Sequence, residues 1–310
     1  MNINQNRKIL VTGALGTIGM PLWAELRRRG YQVFGCDLRH YHDPAYFRCD
    51  VSEYRQVERI FNEHKFDYVY HMAAEFGRKS GEEFYESLWK TNAGGMKNIL
   101  RAQEKYKFRL IYPSSSEVYG TTYSGVMTED VPERVAVRLG NDYAMSKWVN
   151  EMQIMNSMEK FSTETVRVRF SNVYGPGEYY SDYRSVICIF IYRALHNLPY
   201  TAYTNDKRAF LYIDDAVRTF ANICERFKSG EIYNISNRDL CDMKQVSDTI
   251  LKILGKDDRL VEYKKIDATA TLVKDLDNAK AVRDLDHKKT VSLEEGLART
   301  IEWQKKVYGG

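Results

Sequence analysis

Tyr143 and Lys147, in the segment YAMSK, have side chains and a spacing that could perform acid–base chemistry. Residues four apart lie on one face of an α-helix, so the two side chains would be neighbours if this segment is helical. A lysine ammonium beside a phenol stabilises the phenolate and lowers its pKa from ~10 toward neutrality. Such a phenolate could accept a proton from a hydroxyl group. The pattern alone is common, and a tyrosine and a lysine on the surface of an ordinary helix would also produce it.

A second group of proton-handling side chains lies in the segment SSSEVYG, which begins with Ser114, Ser115, Ser116 and Glu117. It follows the apolar run FRLIYP, which predicts a strand. Parallel sheets bind ligands at the carboxyl ends of their strands. We therefore expect these hydroxyls and the carboxylate to line a site.

Glycines mark the junction between the first predicted strand and the first predicted helix. The segment VTGALGTIGM places Gly13, Gly16 and Gly19 there. Glycines allow a tight turn and let a pyrophosphate approach the amides at the helix N-terminus. Asp37 ends the next predicted strand, where a carboxylate accepts hydrogen bonds from ribose hydroxyls and repels a 2′-phosphate. The pattern predicts a dinucleotide site that favours NAD over NADP, although Arg39 is a side chain that can serve a 2′-phosphate.

Alternating strands and helices must position these groups. Strands are predicted at 8–13, 31–36, 67–72, 108–113 and 165–170, and helices at 17–29, 53–64 (with Ser52 as its N-cap), 82–106 and 143–160. The alternation indicates a parallel sheet covered on both faces. After about residue 172, shorter strands join four further predicted helices, at 184–196, 214–227, 243–254 and 292–307. We expect an α/β fold: a Rossmann-type doubly wound sheet over 1–172 that binds NAD, and a smaller mixed α/β substrate-binding lobe over 173–310, with some strands returning to the first sheet.

Composition excludes several classes of protein. The net charge of +4 is too small to indicate a nucleic-acid partner, and no stretch approaches the ~20 apolar residues of a membrane helix. The N-terminal segment lacks the apolar core of a secretory signal, so a cytoplasmic location is expected. The five dispersed cysteines predict reduced thiols, and the six histidines form no ligand pattern, so no metal is expected.

The order of the motifs resembles one family. The glycine loop, CDV (49–51), HMAA (71–74), KTNAGG (90–95), SSSEVYG, YAMSK, RFSNVYGPG (169–177) and KRAFLYIDD (207–215) follow one another over nearly the whole chain. Together they resemble the extended short-chain dehydrogenases/reductases, in the branch of nucleotide-sugar epimerases, dehydratases and decarboxylases.

This resemblance implies a role for each motif residue. NAD would be bound by Gly13, Gly16, Thr17, Ile18, Gly19, Asp37, Asp50, Val51, Ala73, Ala74, Asn92, Tyr143 and Lys147. Catalysis would rest on Tyr143, Lys147, Ser115, Ser116 and Glu117, and the nucleotide sugar would contact Ser115, Asn172, Arg208 and Lys274. Lys274 stands where the family commonly has an arginine. The resemblance also implies a homodimer joined through a four-helix bundle.

Glu117 bears on the reaction that the resemblance implies. Tyr143 and Lys147 would oxidise C4 of the sugar; Glu117 would then remove the C5 proton, the C6 hydroxyl would leave and the hydride would return to C6. This 4,6-dehydratase is the favoured expectation. The alternatives are a decarboxylase of the UDP-glucuronate type, a 4-epimerase in which Glu117 only orients a neighbour, and, more distantly, a non-catalytic NAD-binding regulator. The sequence leaves the nucleotide base, the sugar and the roles of Glu75 and Arg78 open.

Overall fold

Strands and helices alternate along the chain in the computed structural model, which describes residues 6–121, 123–265 and 273–309. The strands are β1 (Lys8–Thr12), β2 (Gln32–Asp37), β3 (Tyr46–Arg48), β4 (Tyr68–His71), β5 (Arg109–Ser115), β6 (Thr165–Phe170), β7 (Asn172–Tyr174), β8 (Tyr200–Tyr203), β9 (Lys207–Tyr212), β10 (Ile232–Ile235), β11 (Leu240–Asp242), β12 (Val261–Lys264) and β13 (Val273–Lys274). The helices are α1 (Gly19–Arg28), α2 (Tyr54–Glu63), α3 (Arg78–Glu83), α4 (Tyr85–Trp89), α5 (Gly95–Tyr106), α6 (Val131–Arg134), α7 (Asp142–Phe161), α8 (Val186–Leu195), α9 (Ile213–Ala221), α10 (Met243–Leu254), α11 (Ala279–Leu285) and α12 (Leu293–Tyr308). A π-helical turn spans Lys90–Gly94, and 3₁₀ turns span Ser116–Tyr119 and Asn222–Cys224.

The central sheet has seven parallel strands in the order β10-β6-β5-β4-β1-β2-β3. Its strands are buried on both faces: in β1, Ile9 and Val11 pack into one core and Leu10 packs into the other. Helices α1, α8 and α9 contribute to the first core, and α2 and α5 contribute to the second. This arrangement confirms the predicted α/β class and the doubly wound sheet.

The second half of the chain adds to this sheet and also builds beside it. Strand β10 pairs with β6 at one edge of the central sheet. The remaining strands form a four-stranded sheet centred on β9 and a separate pair, β12 with β8. The central sheet therefore combines strands from both sides of the proposed division at residue 172. In the described part of the chain, no helix has the length and apolar character needed to span a membrane.

The stretch predicted as a helix over 82–106 is helical from Tyr85 to Tyr106, but the expectation of one regular helix is wrong. After a turn at Phe84, α4 continues into the π-helical turn and then into α5. The buried side chain of Asn92, within the π turn, bonds to groups on two other segments of the chain. These tertiary hydrogen bonds hold the widened turn in place, and hydrophobic spacing cannot reveal them.

The predicted N-cap of α2 is also wrong. The helix begins at Tyr54 with Glu53 at the N-cap position. The Ser52 hydroxyl instead donates to the Asp50 carboxylate at 2.7 Å. Because a short polar side chain can bond to a local carboxylate as readily as to a helix amide, the sequence alone did not distinguish the two.

Candidate active site

The turn between β1 and α1 requires glycine. Gly13 has a φ of +64°, and a Cβ atom there would lie 2.7 Å from the backbone nitrogen of Ala73. A Cβ atom at Gly19 would lie 2.1 Å from the Gly13 carbonyl oxygen, while the Gly16 amide donates to that oxygen at 3.0 Å. The turn brings the N-terminus of α1 next to the carboxyl ends of β1 and β4. This cradle fits the pyrophosphate of a dinucleotide.

Asp37 lies at the end of β2, beside this turn. Its carboxylate accepts hydrogen bonds from the backbone amides of Leu15 at 3.1 Å and Arg39 at 3.3 Å. The Arg39 guanidinium donates to the Leu15 carbonyl and lies 3.7 Å from the Asp37 carboxylate. A 2′-phosphate would face this carboxylate, so the geometry fits the ribose of NAD.

Four further predicted NAD contacts surround the turn. Thr17 and Ile18 lie directly before α1, and the Thr17 hydroxyl donates to the Gly177 carbonyl at 3.4 Å, which connects the turn to the second half of the chain. Asp50 and the buried Val51 follow β3, on the β2 side of the turn.

Ala73 and Ala74 follow β4, opposite the glycine turn, and the Ala73 amide donates to the Thr12 hydroxyl at 3.1 Å. Asn92 lies behind them and is 1% exposed. Its side-chain oxygen accepts from the Glu75 amide at 2.8 Å, and its nitrogen donates to the Ser146 hydroxyl at 3.0 Å. The resemblance implies an NAD contact for Asn92, but both ends of its amide bond to protein. Its side chain therefore positions the segment that follows β4.

Tyr143 and Lys147 lie on the first turns of α7 and are both buried. The helix begins here because the Asn141 side chain accepts a hydrogen bond from the Ala144 amide at 2.8 Å. The Tyr143 phenol is hydrogen-bonded to Ser115 at the end of β5. The Lys147 ammonium donates to the Pro113 carbonyl at 2.9 Å and lies 5.7 Å from the centre of the Tyr143 ring. The structure thus brings together the residues of the two motifs.

The expected lowering of the Tyr143 pKa is not found. Burial raises the pKa of Tyr143, and the hydrogen bond with Ser115 only partly opposes that effect. The Lys147 ammonium is directed at a carbonyl oxygen rather than at the phenol oxygen. Burial in turn lowers the pKa of Lys147 to about 8, against the opposing charge of Glu151.

Glu151 is a buried residue that the motifs did not indicate. It lies on α7, four residues after Lys147, and is fully buried. Its carboxylate accepts hydrogen bonds from Arg169 Nη2 at 2.8 Å and from the Ser114 hydroxyl at 2.6 Å. Ser114 therefore belongs to a buried network behind the site. The i+4 spacing from Lys147 was the available sequence signal.

Glu117 lies between two cations. Arg78 Nε lies 3.1 Å from Oε2 and Arg78 Nη2 lies 3.1 Å from Oε1, while the Lys274 ammonium forms an ion pair with Oε1. Burial acts to raise the pKa of Glu117, but the charges of Lys274 and Arg78 outweigh it and hold the pKa well below its usual range. The Glu117 amide donates to the Ser115 hydroxyl at 3.2 Å, and the buried Ser116 lies between them. The charged group is therefore adjacent to the Tyr143 site.

The predicted substrate contacts other than Ser115 lie on the sheet centred on β9. Arg208 on β9 and Lys274 on β13 are direct partners in adjacent parallel strands. Both are buried, and the Arg208 guanidinium is paired with Asp206. Asn172 begins β7, which pairs with the later part of β9; its side chain is exposed and donates to the Ala209 carbonyl at 3.4 Å.

A glycine cradle and a buried tyrosine–lysine pair, both at the carboxyl edge of a parallel sheet, define the class of NAD-dependent short-chain dehydrogenases/reductases. The model of the NAD dependent epimerase/dehydratase family matches residues 9–236. The chain belongs to this enzyme family, and its cofactor is NAD.

Relatives in this family catalyse different reactions. The chain is 28% identical to a UDP-N-acetyl-alpha-D-glucosaminuronate decarboxylase of Bacillus cytotoxicus, over 97% of this chain and 98% of the relative. It is 25% identical to the dTDP-D-glucose 4,6-dehydratase of Homo sapiens, over 96% of this chain and 90% of the relative. The crystal structure of a UDP-glucose 4-epimerase from Thermotoga maritima with UDP-glucose superimposes with a TM-score of 0.88 at 26% identity, covering 97% of this chain and 99% of that one.

Proposed function

We propose that the protein decarboxylates a nucleotide sugar that carries a carboxylate at C6, through a 4-keto intermediate. The observation that carries this proposal is the placement of Glu117 between Arg78 and Lys274, beside the Tyr143 site. Two cations at this position suit an anionic substituent on the substrate, and they make Glu117 a weak base.

The first step is oxidation at C4. The Tyr143 phenolate accepts the proton of the C4 hydroxyl and becomes the phenol, and Ser115, which is hydrogen-bonded to Tyr143, orients that hydroxyl. Lys147 places a positive charge 5.7 Å from the centre of the Tyr143 ring and stabilises the phenolate before it takes the proton. Bound NAD supplies the hydride acceptor at C4 and later the hydride donor.

The second step is loss of carbon dioxide. A ketone at C4 makes the C6 carboxylate a β-keto acid, so the C5–C6 bond breaks and its electron pair moves onto C5, C4 and the C4 oxygen. Ser115 and the Tyr143 hydroxyl can hydrogen-bond to that oxygen, and a proton from water then adds at C5. Tyr143 returns its proton to the C4 oxygen when C4 is reduced again. This sequence needs no base at C5.

The 4,6-dehydratase that the sequence favoured requires Glu117 to take the C5 proton. A carboxylate held by two ion pairs accepts a proton poorly, so the geometry supports dehydration less well than decarboxylation. The similarity to a UDP-N-acetyl-alpha-D-glucosaminuronate decarboxylase supports the same choice. Dehydration and 4-epimerisation remain the alternative outcomes of the experiment.

The test is to incubate the protein with NAD and UDP-N-acetylglucosaminuronate, UDP-glucuronate, UDP-glucose or dTDP-glucose, and to measure product masses. We expect loss of carbon dioxide from a uronate. Tyr143→Phe should lower turnover roughly 10²–10⁴-fold, because it removes the proton acceptor. Loss of water from dTDP-glucose, or an isomer of unchanged mass, would instead establish a dehydratase or an epimerase.

A further inference from the structure

Arg78 belongs to a segment that no motif explained. It follows Gly77, whose φ of +100° turns the chain, and it is the first residue of α3. Phe76 packs edge-on against the ring of Tyr143, with ring centroids 5.8 Å apart. Tyr183, in the loop before α8, donates to the Glu83 carboxylate at the other end of α3. These contacts hold Arg78 at the rim of the site.

Several charged side chains surround Glu117. Arg78 and Lys274 pair with Glu117, and the neighbouring Arg208 pairs with Asp206. Among the residues that the structure describes, Glu82 also acts on Arg78, so three cations face three carboxylates. An anionic group that arrives beside Glu117 must therefore take one of these cations from its present carboxylate.

The two partners of Glu117 differ in their exposure. The Lys274 side chain is 4% exposed, whereas the Arg78 side chain is 50% exposed. Lys274 alone can neutralise Glu117, and it is held to that carboxylate because its own charge would otherwise be buried without a partner. Arg78 can turn toward an arriving anion at a smaller cost, because solvent already reaches it.

Resting on the proposed function, we propose that Arg78 selects the substrate by binding the C6 carboxylate of the nucleotide sugar, while Lys274 keeps Glu117 paired. The planar guanidinium fork matches a carboxylate with two parallel hydrogen bonds, as it does with Glu117 in this structure. A C6 hydroxymethyl group offers no such partner.

The position of Arg78 favours the sugar over the diphosphate. Its partner Glu117 comes two residues after Ser115, which is hydrogen-bonded to the reacting phenol of Tyr143. Arg208, the predicted diphosphate contact, is buried on β9 and paired with a different carboxylate. Arg78 is therefore the exposed cation nearest to the reacting carbons among these residues.

The experiment compares two ligands that differ only at C6: UDP-N-acetylglucosaminuronate and UDP-N-acetylglucosamine. Calorimetry is done on the NAD-loaded protein in a Tyr143→Phe background, in which the uronate binds with little turnover, and it gives both dissociation constants for that background alone and with Arg78→Gln, Arg78→Lys or Glu117→Gln added. We expect Arg78→Gln to weaken binding of the uronate roughly 10- to 100-fold and to change binding of the neutral sugar less than about twofold. Arg78→Lys should show an intermediate loss, because it keeps the charge but not the fork.

Lys79→Gln is the matched control. Lys79 is the adjacent cation, but its ammonium lies near Glu83 and over the ring of Tyr183. Its removal should leave both affinities unchanged. Glu117→Gln removes the carboxylate that competes for Arg78, so the preference for the uronate should rise.

Other outcomes would overturn the proposal. An equal loss for both ligands in Arg78→Gln would assign Arg78 to the diphosphate, and no loss for either would make it only a partner of Glu117. An unchanged preference for the uronate in Glu117→Gln would show that the substrate carboxylate does not replace Glu117 as the partner of Arg78. Release of carbon dioxide by the wild type tests the proposed function separately. If Arg78 determines the preference for the uronate but no carbon dioxide is released, the proposed decarboxylation is wrong and the proposed role of Arg78 in binding stands.

Discussion

Lys147 is a buried cation whose loss of a proton should limit activity at high pH. Burial lowers its pKa to about 8, so its ammonium is charged below that pH and neutral above it. The charged or titratable groups beside it are Tyr143, Tyr112, Glu151 and His71. Burial and the positive charge of Lys147 lower the pKa of His71 to about 3. His71 is thus neutral throughout. We predict that kcat/KM falls as the pH rises through about 8, measured between about pH 6 and 10.

Lys147→Arg provides the control for this pH dependence. A guanidinium stays charged throughout that range, so the decline near pH 8 should disappear even though the different geometry lowers activity overall. The same decline in both proteins would show that another group causes it.

At the scale of single residues, contacts within one helix could be predicted from the sequence, whereas ion pairs between distant segments could not. Tyr143 and Lys147 share a helix face, so their spacing of four residues was enough to place them together. The ion pairs of Glu117 join segments 39 and 157 residues away. Only the fold brings Arg78 and Lys274 to the same carboxylate, and no local pattern could show it.

At the scale of elements, Glu151 anchors α7 to the central sheet. Its carboxylate binds Arg169 on β6 and Ser114 on β5, and all three side chains are buried. We predict that Glu151→Ala lowers the free energy of unfolding by roughly 3–5 kcal/mol, because it leaves the Arg169 charge buried without its partner. Urea denaturation would measure the change.

Glu159 offers a control on the same helix. It is exposed, so Glu159→Ala should change the free energy of unfolding by less than about 0.5 kcal/mol. Comparable losses in the two variants would mean that the helix tolerates no substitution, rather than that the buried ion pair matters.

Element boundaries were predictable where the chain itself sets them. Helix α10 covers the residues predicted as 243–254, because Asp242 and Gln245 form a capping box and Gly255 ends the helix. The π-helical turn that joins α4 to α5 was not predictable, since the hydrogen bonds of Asn92 to Glu75 and Ser146 cross between segments.

At the scale of the whole molecule, the site depends on both halves of the chain. Strand β5 carries Ser115 to the carboxyl edge of the central sheet, and the sheet around β9 carries Arg208 and Lys274 to the same place. The sequence indicated that some strands of the second half return to the first sheet, which β10 does. It could not show that β13 pairs with β9, because residues in that segment lack strand periodicity.

The outer face of α7 carries an apolar stripe that a second copy of the chain would cover. Met145, Trp148, Met152 and Met155 follow a helical spacing, and Met152 and Met155 are 47% and 37% exposed. We propose that this stripe joins two copies, in line with the homodimer that the family resemblance implies.

Equilibrium sedimentation tests this assembly. We predict a mass twice that of one chain, and a single-chain mass for the double variant Met152→Asp, Met155→Asp, because two buried charges per copy would face the partner helix without counter-ions. Lys160→Glu, an exposed change near the end of the same helix, should leave the dimer intact.

Turnover of the double variant adds a second readout. Tyr143 and Lys147 lie buried toward the sheet, so their own chain supplies their contacts. Activity should therefore survive separation. A wild-type protein that sediments as a single chain would leave the stripe unexplained by self-association.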